Sequence, residues 1–377
     1  MTDVLIVGAG QLGLMMAAAG ARFGISVDRI DHVSGEILPG TSSRRIRMDI
    51  ADILSDYPVI TAELEHLLGN PVVEQLAETE SWLNAEAMTV LPARDQQKSL
   101  FDQLDLPTSP WQLLESVEDI SVAQLRLGAD LVIKSVRDGY DGKGQWVLDD
   151  ANTEQVAREI PADLYGQLIA EKKINFDREV SIVGARFADG SCHFLPVVEN
   201  YHQAGMLRYT IAPAGRYQPL QQQAERLLSA LMQSLNYVGV MAVECFDTGQ
   251  GLLINEVAPR VHNSGHWSQA GATYSQFDLH LFAILNMAVP RNQQISRPTV
   301  MLNLIGCNWH PGWQTLAGIQ CYWYGKSWRE NRKLGHINIS AEDSEALVLK
   351  CRELKPTLDM FHQEMLMGCI DQLQNSS

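Results

Sequence analysis

The 377-residue sequence lacks paired cysteines, a long apolar run and an excess of basic residues. Its six cysteines are scattered without a CxxC pair, which is typical of a reducing compartment and gives no metal-binding signature. The most apolar late run, from Leu279 to Val289, includes His280 and Asn286 and is too short to cross a bilayer. The first residues, Met1 to Val4, lack the positive charge of a signal peptide. We therefore expect a soluble, cytoplasmic protein without a membrane partner.

The small number of basic residues also argues against a nucleic-acid partner. The sequence has 45 acidic and 29 basic residues, a net charge of −16, whereas non-specific nucleic-acid binding relies on an excess of Lys and Arg. Local basic clusters can still bind phosphorylated small molecules. Apolar residues make up 46% of the sequence, which is enough for large cores, and the length predicts two or three domains.

Two carboxylates on either side of a short turn form the most informative part of the sequence. Glu244 and Glu256 each lie in a run of apolar β-formers that predicts a strand. Residues 247–251 between the runs are turn formers. A hairpin centred on Gly249 would pair Ile254 with Glu244, and Glu256 would then be a diagonal neighbour of Glu244 on the same face.

Such a pair of carboxylates predicts a metal site. Converging carboxylates repel each other unless a cation lies between them, and hard oxygen ligands suit Mg²⁺, which also keeps waters and substrate phosphates. The alternative is two surface acids on an ordinary hairpin, since surface Glu is common. The metal site is favoured by the anion-binding and proton-handling residues that follow, namely Arg260, His262, Asn263 and His266.

The first forty residues predict a β-α-β unit. A strand at Val4–Val7 is followed by the G-x-G-x-x-G pattern of residues 8–13, an apolar helix to about Phe23 and a second strand that ends at Asp31. The amide groups of the glycine turn are expected to face an anion. Asp31 lies where the ribose-binding acid of a dinucleotide enzyme would be. A dinucleotide-dependent oxidoreductase is therefore a competing hypothesis.

A glycine-rich hairpin is predicted in the middle of the chain. A strand at Leu131–Lys134 precedes the loop Asp138–Gln145, which has three glycines in six residues, and a strand resumes at Trp146. Glycine lets backbone N–H groups approach phosphates closely, and Lys134 and Lys143 add positive charge. The loop is not a Walker A loop, because no G-K-[ST] opens a helix. A plain glycine hairpin is the alternative.

Two shorter segments add charged groups. The segment Val59–His66 predicts a strand that runs into acids, including Glu65, where open α/β sheets bind ligands. The alternative there is a helix N-terminus, which acids favour through the helix dipole. Near the end of the chain, residues 329–336 hold a basic cluster, for which a solvated turn is the alternative.

Together these segments resemble the ATP-grasp superfamily and, within it, the 5-(carboxyamino)imidazole ribonucleotide synthetase family of bacterial purine biosynthesis. The resemblance runs from the glycine turn at Gly8–Gly13 to Arg332–His336, nearly the whole chain. The most specific part is the order of the Gly139–Gln145 loop, Asn255–Arg260 and His262–His266. The resemblance implies an α/β fold, α+β in its ATP-grasp part. The implied domains are a doubly wound N-terminal domain (1–93), an ATP-grasp domain (94–292) with a glycine-loop lid at about 111–168, and a small β-rich C-terminal domain (293–377).

The resemblance also implies an ATP-dependent ligase that forms a carbon–nitrogen bond. ATP and Mg²⁺ would activate bicarbonate as carboxyphosphate, and 5-aminoimidazole ribonucleotide would be carboxylated in de novo purine (IMP) biosynthesis. A homodimer, and a separate mutase that uses the product, are implied as well. Two alternatives stay open beside the oxidoreductase. One is a related ATP-grasp ligase that activates formate or an amino acid, and the other is a non-catalytic nucleotide sensor.

The same resemblance implies roles for individual residues. The implied ATP contacts are Arg94, Lys134, Gly139, Tyr140, Asp141, Gly142, Lys143, Gly144, Gln145, Glu171, Lys172, Lys173, Ile174, Glu179, His202, Asn255 and Glu256. The implied Mg²⁺ ligands are Glu244 and Glu256. The implied substrate site comprises Gln11, Leu12, Glu65, Tyr140, Asp141, Arg260, His262, Arg332 and Lys333. The catalytic candidates are Tyr140, Asp141, Lys143, Arg260 and His262, with Asp141 first and His262 second as the base that takes the amine proton.

Three positions depart from the patterns of these families. Leu14 stands where many members have Arg, so a cation near the substrate phosphate is missing. Lys143 stands where Arg is frequent, which keeps the charge and loses a bidentate fork. Most ATP-grasp enzymes have an Asn metal ligand two residues after the second Glu. This chain has Ala258 there, as the synthetase family that it resembles does, so Mg²⁺ coordination would rely on phosphate and water.

Overall fold

A computed structural model describes residues 3–49, 52–53, 56–67, 69–137, 139, 144–149, 151–212, 218–289 and 296–375. Three β-sheets with helices packed on them make up this part of the chain. Among the described helices, none combines the length and the apolar character that a membrane crossing requires.

The N-terminal sheet has five strands in the order β4-β3-β2-β1-β5. These are β1 (Val4–Val7), β2 (Val27–Ile30), β3 (Glu36–Leu38), β4 (Ile46–Arg47) and β5 (Ile60–Ala62). Strand β1 pairs in parallel with β2 and β5, whereas β3 and β4 form an antiparallel edge. The helices of this region are α1 (Gln11–Ala21), α2 (Pro71–Ala77) and α3 (Ala85–Val90). The predicted β-α-β unit is confirmed, with a helix two residues shorter than predicted.

The second sheet is antiparallel and contains the predicted glycine hairpin. Its order is β6-β9-β7-β8, and its strands are β6 (Trp111–Leu114), β7 (Leu131–Ser135), β8 (Gln145–Leu148) and β9 (Leu168–Lys172). Strands β7 and β8 pair from Leu131 with Leu148 to Lys134 with Gln145, so the glycine loop joins their ends. The helices are α4 (Arg94–Gln103), α5 (Asp119–Leu127), α6 (Thr153–Glu159) and the 3-10 helix Ala162–Leu164.

The third sheet has nine strands, ordered β15-β14-β10-β12-β13-β16-β18-β17, with β11 beside β10. They are β10 (Arg178–Arg186), β11 (Cys192–Phe194), β12 (Val198–Gln203), β13 (Met206–Ala212), β14 (Gly239–Asp247), β15 (Leu252–Ala258), β16 (Thr299–Ile305), β17 (Ile319–Trp323) and β18 (Lys333–Ser340). Because β13 pairs with β16, strands of the predicted ATP-grasp and C-terminal domains share one sheet. The three-domain division stays a prediction.

Helices cover this large sheet on both sides. They are α7 (Gln218–Ser234), α8 (Ser268–Gly271), α9 (Gln276–Ile284), α10 (Ser344–Leu354) and α11 (Met360–Gln374), with 3-10 helices at Asn263–Gly265, Pro311–Thr315 and Lys355–Thr357. The leucine stripe of α7 packs against Val243 and Cys245 of β14. Because side chains alternate along a strand, Glu244 between them faces the opposite side. The predicted amphipathic helix is confirmed, and its packing determines which face of β14 carries the acid.

Candidate active site

Glu244 and Glu256 lie directly opposite each other on β14 and β15. The predicted register, with Ile254 opposite Glu244, is wrong by one residue, because Ile254 pairs with Cys245. Asn255 is an extra residue on β15 at this point, and such a bulge shifts the residues that follow it along the partner strand. The carboxylates are therefore closer than diagonal neighbours, since directly opposed Cβ atoms are about 4.5–5.5 Å apart.

The two carboxylates differ in exposure and in pKa. The side chain of Glu244 is 12% exposed, whereas that of Glu256 is 37% exposed. Burial raises the pKa of Glu244; His202 opposes this effect and Glu256 adds to it. Burial acts on Glu256 in the same direction, but Arg94 and His262 outweigh it and lower its pKa. Two adjacent acids form an anionic site that a divalent cation would stabilise.

Arg94 joins the carboxylate pair to the start of the glycine loop. Its Nη1 lies 3.1 Å from Glu256 Oε2, and its Nη2 donates to the carbonyl oxygen of Gly139 at 2.9 Å. Gly144 at the far end of the loop has a φ of +65°, and a Cβ there would lie 2.6 Å from Ser135 Oγ, so this position requires glycine. Four predicted site residues of the loop lie outside the described ranges: Tyr140, Asp141, Gly142 and Lys143.

Glu171 joins two buried lysines. Its Oε1 lies 3.2 Å from Lys98 Nζ, and its Oε2 lies 3.0 Å from Lys134 Nζ. Lys134 also donates to Asn255 Oδ1 at 3.1 Å, beside the carboxylate pair. Burial lowers the pKa of Lys98 to about 8. Burial opposes the ionisation of Glu171, but the two lysines outweigh it and lower its pKa to about 2. Two ammonium groups and one carboxylate leave a net positive cluster suited to phosphates.

The segment predicted to border adenine has most of its backbone donors committed within the protein. The N–H of Lys172 donates to the carbonyl oxygen of Pro110 at 2.8 Å, and the N–H of Lys173 donates to that of Asp130 at 3.0 Å. Both lysines are exposed, and Ile174 is half-buried. A ligand can therefore approach this segment through exposed side chains and through the backbone at Ile174.

Glu179 and His202 form a pair beside the carboxylates. Glu179 Oε2 lies 2.8 Å from His202 Nδ1. Burial lowers the pKa of His202, but Glu179 and Glu244 outweigh burial and raise it to about 9. The imidazole is therefore protonated at neutral pH and contributes positive charge.

Among the predicted substrate residues, Glu65 pairs with Arg260, and His262 lies beside Glu244. Arg260 Nη2 lies 2.6 Å from Glu65 Oε1, which connects the end of β15 to the N-terminal sheet. His262 Nδ1 lies 3.8 Å from Glu244 Oε1. Burial, together with the positive charge of Arg260, lowers the pKa of His262 to about 3. A neutral imidazole and a guanidinium group thus adjoin the two carboxylates.

The glycine turn of the first strand holds a carboxylate from the same chain. Glu63 accepts hydrogen bonds from the N–H groups of Gly10 and Gly13. Asp31, the acid that the dinucleotide hypothesis requires, is paired with Arg45 at 2.6 Å. The amide groups of the turn are therefore satisfied by an internal carboxyl group, whose pKa is raised by burial. Both features on which the oxidoreductase hypothesis rests have partners within the protein.

The first turn of α1 meets a lysine from the end of the chain. Lys326 Nζ donates to Gln11 Oε1 at 2.6 Å, and Leu12 packs against the core. Lys333 begins β18 nearby in sequence. The guanidinium group of Arg332 donates to the carbonyl and hydroxyl oxygens of Ser327, so in this structure it contacts its own loop.

Comparisons with known proteins agree with this geometry. The ATP-grasp domain family matches residues 99–277, and the phosphoribosylaminoimidazole carboxylase C-terminal domain family matches residues 299–349. The chain is 43% identical to N5-carboxyaminoimidazole ribonucleotide synthase of Escherichia coli (strain K12) over 95% of this chain and 96% of the relative. The chain belongs to the N5-carboxyaminoimidazole ribonucleotide synthase family. The family prediction and the prediction of an ATP-dependent ligase are confirmed.

Solved structures of the family share the fold. The N5-carboxyaminoimidazole ribonucleotide synthetase from Thermus thermophilus is 33% identical, with a TM-score of 0.82 over 94% of this chain and 98% of that chain. A second synthetase, solved as its ADP complex, is 30% identical, with a TM-score of 0.82 over 94% of this chain and 96% of that chain. The predicted fold class is confirmed.

Sequence reasoning missed several residues of this site. Lys98 lies on the buried stripe of α4 with Gln97 and Phe101, so a charged residue at a core position of the helical pattern was the available signal. Glu63 was visible as an acid at the end of a strand. Lys326 has no local signal, since it is 315 positions away from Gln11.

Proposed function

We propose that this chain uses ATP and bicarbonate to carboxylate the amine of 5-aminoimidazole ribonucleotide. The observation that supports this function best is the position of the facing carboxylates. Lys134 of the net positive cluster donates to Asn255, the residue before Glu256. His262 lies 3.8 Å from Glu244, and Arg260, two residues after the end of β15, pairs with Glu65. Such a site can hold a polyphosphate next to a small acid.

The residues fit Mg²⁺. Glu244 and Glu256 offer hard oxygen ligands. Burial, with Glu256 adding to it, raises the pKa of Glu244 although His202 opposes the rise, so a bound cation would stabilise the ionised pair. Mg²⁺ held there would neutralise charge on the phosphates as the terminal phosphoryl group is transferred.

The ATP site would extend from the lysines to the ribose pair. Lys98, Lys134 and the glycine loop would attract the phosphates, and Arg94 would hold the loop near Glu256. Glu179 would accept from the ribose hydroxyls, with His202 beside it. The exposed segment Lys172–Ile174 would border the adenine.

In the first step, a bicarbonate oxygen attacks the γ-phosphorus. The bond from that phosphorus to the leaving oxygen of ADP breaks, which yields carboxyphosphate and ADP. The protein needs mainly to position the groups and offset charge. Because carboxyphosphate hydrolyses readily, the glycine-loop hairpin must exclude water during this step.

In the second step, carboxyphosphate separates into CO₂ and phosphate. The amine nitrogen attacks the CO₂ carbon, and the amine gives up one proton as the carbamate forms. Asp141 is the first candidate for the base. The ribonucleotide phosphate would lie at the first turn of α1, where Gln11 and Leu12 have N–H groups without intrahelical partners. Lys326, Arg332 and Lys333 would add positive charge there.

Several further properties are proposed from the family resemblance. They are the three-domain division, a homodimer, a cytoplasmic location and a separate mutase that uses the product. Tyr140 and Lys143 would act in the glycine loop above the reacting groups.

The test is ADP release from ATP, Mg²⁺ and bicarbonate, with and without 5-aminoimidazole ribonucleotide. We expect strong stimulation by the ribonucleotide that requires bicarbonate. ADP release that responds instead to formate or an amino acid would move the function to a related ligase. A protein that binds ATP and releases no ADP under any of these conditions would be a sensor.

A further inference from the structure

Lys98 has no N–H group left for a phosphate. Its Nζ donates to Thr108 Oγ1 at 2.7 Å and to Ser109 Oγ at 3.1 Å, and it forms a third hydrogen bond with Glu171, whose Oε1 lies at 3.2 Å. An ammonium group has three donors, so these three acceptors use all of them. Because the side chain is only 2% exposed, a direct contact with ATP would require Lys98 to give up one of these partners.

The two hydroxyl groups fix the direction of these hydrogen bonds. Thr108 Oγ1 donates its own hydrogen to the carbonyl oxygen of Ile254 at 2.7 Å, and Ser109 Oγ donates its own to Glu171 Oε2 at 3.1 Å. A hydroxyl group has one hydrogen, so both oxygens can only accept from Lys98. A buried network in which each of these donors has an acceptor is rigid and holds one arrangement.

Lys134 differs from Lys98 in its third donor. Its Nζ donates to Glu171 Oε2 at 3.0 Å and to Asn255 Oδ1 at 3.1 Å, and the remaining N–H meets no acceptor within the described part of the chain. Lys134 lies on β7 near the end that leads into the glycine loop. Lys134 is therefore the lysine of the net positive cluster that can donate to a phosphate.

The two acceptors of this ammonium group are both held by Lys98. Glu171 accepts from Lys98 directly. Asn255 follows Ile254, whose carbonyl oxygen accepts from Thr108, another partner of Lys98. The Lys98 side chain on α4 thus ties β9 to β15 at the residues from which both strands hold the same lysine.

We propose that Lys98 is a positioning residue that holds Glu171 and Asn255 in place, so that the third N–H of Lys134 points at the phosphates of ATP. Lys98 itself makes no contact with ATP. This inference rests on the ATP site of the proposed function. The positive charge of Lys98 is balanced by the Glu171 carboxylate, which leaves the charge of Lys134 for the phosphates.

Ser109→Ala tests the positioning role without a change of charge. The variant removes one acceptor of Lys98 and one donor to Glu171, and both ionic groups remain. We expect the Kd for ADP, measured by calorimetry with Mg²⁺, to rise about 3–10-fold at an unchanged KM for the ribonucleotide. Ser99→Ala on α4, which removes a hydroxyl that donates to the carbonyl oxygen of Asp95, should bind ADP as the wild-type protein does. Equal affinities in the two variants would overturn the inference.

A double-mutant cycle tests whether Lys98 acts through Lys134. Lys98→Met keeps an unbranched side chain and removes the donors, and we expect the Kd for ADP to rise about tenfold. In the Lys134→Met background the same replacement should change the Kd by less than about twofold, because the lysine that Lys98 positions is gone. Equal factors in both backgrounds would show that Lys98 acts on ADP independently and would overturn the inference.

The double variant leaves Glu171 without a cation, so its folding is checked by urea denaturation before ADP is added. If it does not fold, the comparison of Ser109→Ala with Ser99→Ala decides. Wild-type protein that binds ADP and shows these effects, but releases no ADP in response to bicarbonate, would overturn the proposed function and leave the role of Lys98 intact. Wild-type protein without affinity for ADP would overturn both.

Discussion

The carboxylate of Glu63 accepts a hydrogen bond from the N–H of Gly13 at 2.5 Å, across a separation of 50 positions in the sequence. The N–H of Gly10 donates to the other oxygen. In dinucleotide-binding proteins the amides of such a turn face a pyrophosphate. Here the turn is closed by an internal carboxyl group, and the N–H groups of Gln11 and Leu12 at this end of α1 form no hydrogen bond within the described part of the chain.

Replacing Glu63 with Gln tests this closure. One end of the amide can accept from one N–H, but its NH₂ group would face the other N–H, and a buried donor would lose its partner. We expect the free energy of unfolding to fall by about 1–3 kcal/mol, measured by urea denaturation. Glu74→Gln on the exposed side of α2 is the control and should change it by less than about 0.5 kcal/mol. If Glu63→Gln is as stable as this control, the two hydrogen bonds do not hold the turn.

The ion cluster around Glu171 predicts a dependence of stability on pH. The pKa of Glu171 is about 2 in the folded chain and about 4.3 in an unfolded one. A lowered carboxyl pKa contributes stability that is fully present above the unfolded value and is lost as pH falls through the folded value. The difference corresponds to about 3 kcal/mol. We expect the urea midpoint to fall as the pH is lowered from about 5 to about 2, the range that spans the unfolded and folded pKa values.

Glu171→Gln should remove this part of the pH dependence. It should also lower the free energy of unfolding by about 3–5 kcal/mol at pH 7, because two buried lysines lose their counterion. Lys98→Met keeps one lysine beside the carboxylate and should weaken ATP binding with a smaller loss of stability. If the urea midpoint of Glu171→Gln falls with pH as steeply as that of the wild-type protein, the acid sensitivity belongs to other carboxylates.

Lys326 is expected to act on the affinity for the ribonucleotide and not on that for ATP. It donates to Gln11 at the first turn of α1, the proposed site of the ribonucleotide phosphate, whereas Lys134 lies on β7 in the proposed ATP site. A lost charge-assisted hydrogen bond is worth about 1.5–3 kcal/mol. Lys326→Met should therefore raise the KM for the ribonucleotide by about 10–100-fold at nearly constant kcat and KM for ATP. Lys350→Met, which loses a contact to the Ser340 carbonyl oxygen, is the control. Equal effects on both substrates would place Lys326 outside the phosphate site.

The sequence predicts this molecule well where the determinants are local. The strand at Val4–Val7, the hairpin of β7 and β8 and the leucine stripe of α7 follow from periodicity and turn residues within a few positions. The register of Glu256 was wrong because the bulge at Asn255 depends on contacts that spacing does not encode, including Asn255 with Lys134. The roles of Lys98, Glu63 and Lys326 depend on partners from other segments, which only the folded chain brings together.

Glu256 offers the sharpest test of the metal site. Glu256→Gln keeps the size of the side chain and removes one anionic ligand, and at 37% exposure the residue is not part of the packed core. We expect ADP formation to fall below detection while the urea midpoint changes little, since only the ligand set and the contact with Arg94 are altered. Raising the Mg²⁺ concentration should restore part of the activity if Glu244 still binds the metal. Glu342→Gln, an exposed acid paired with Arg297, should have normal activity. Near-normal turnover of Glu256→Gln at limiting Mg²⁺ would contradict the metal site, because a carboxylate pair that binds the ion cannot lose one member without a loss of affinity.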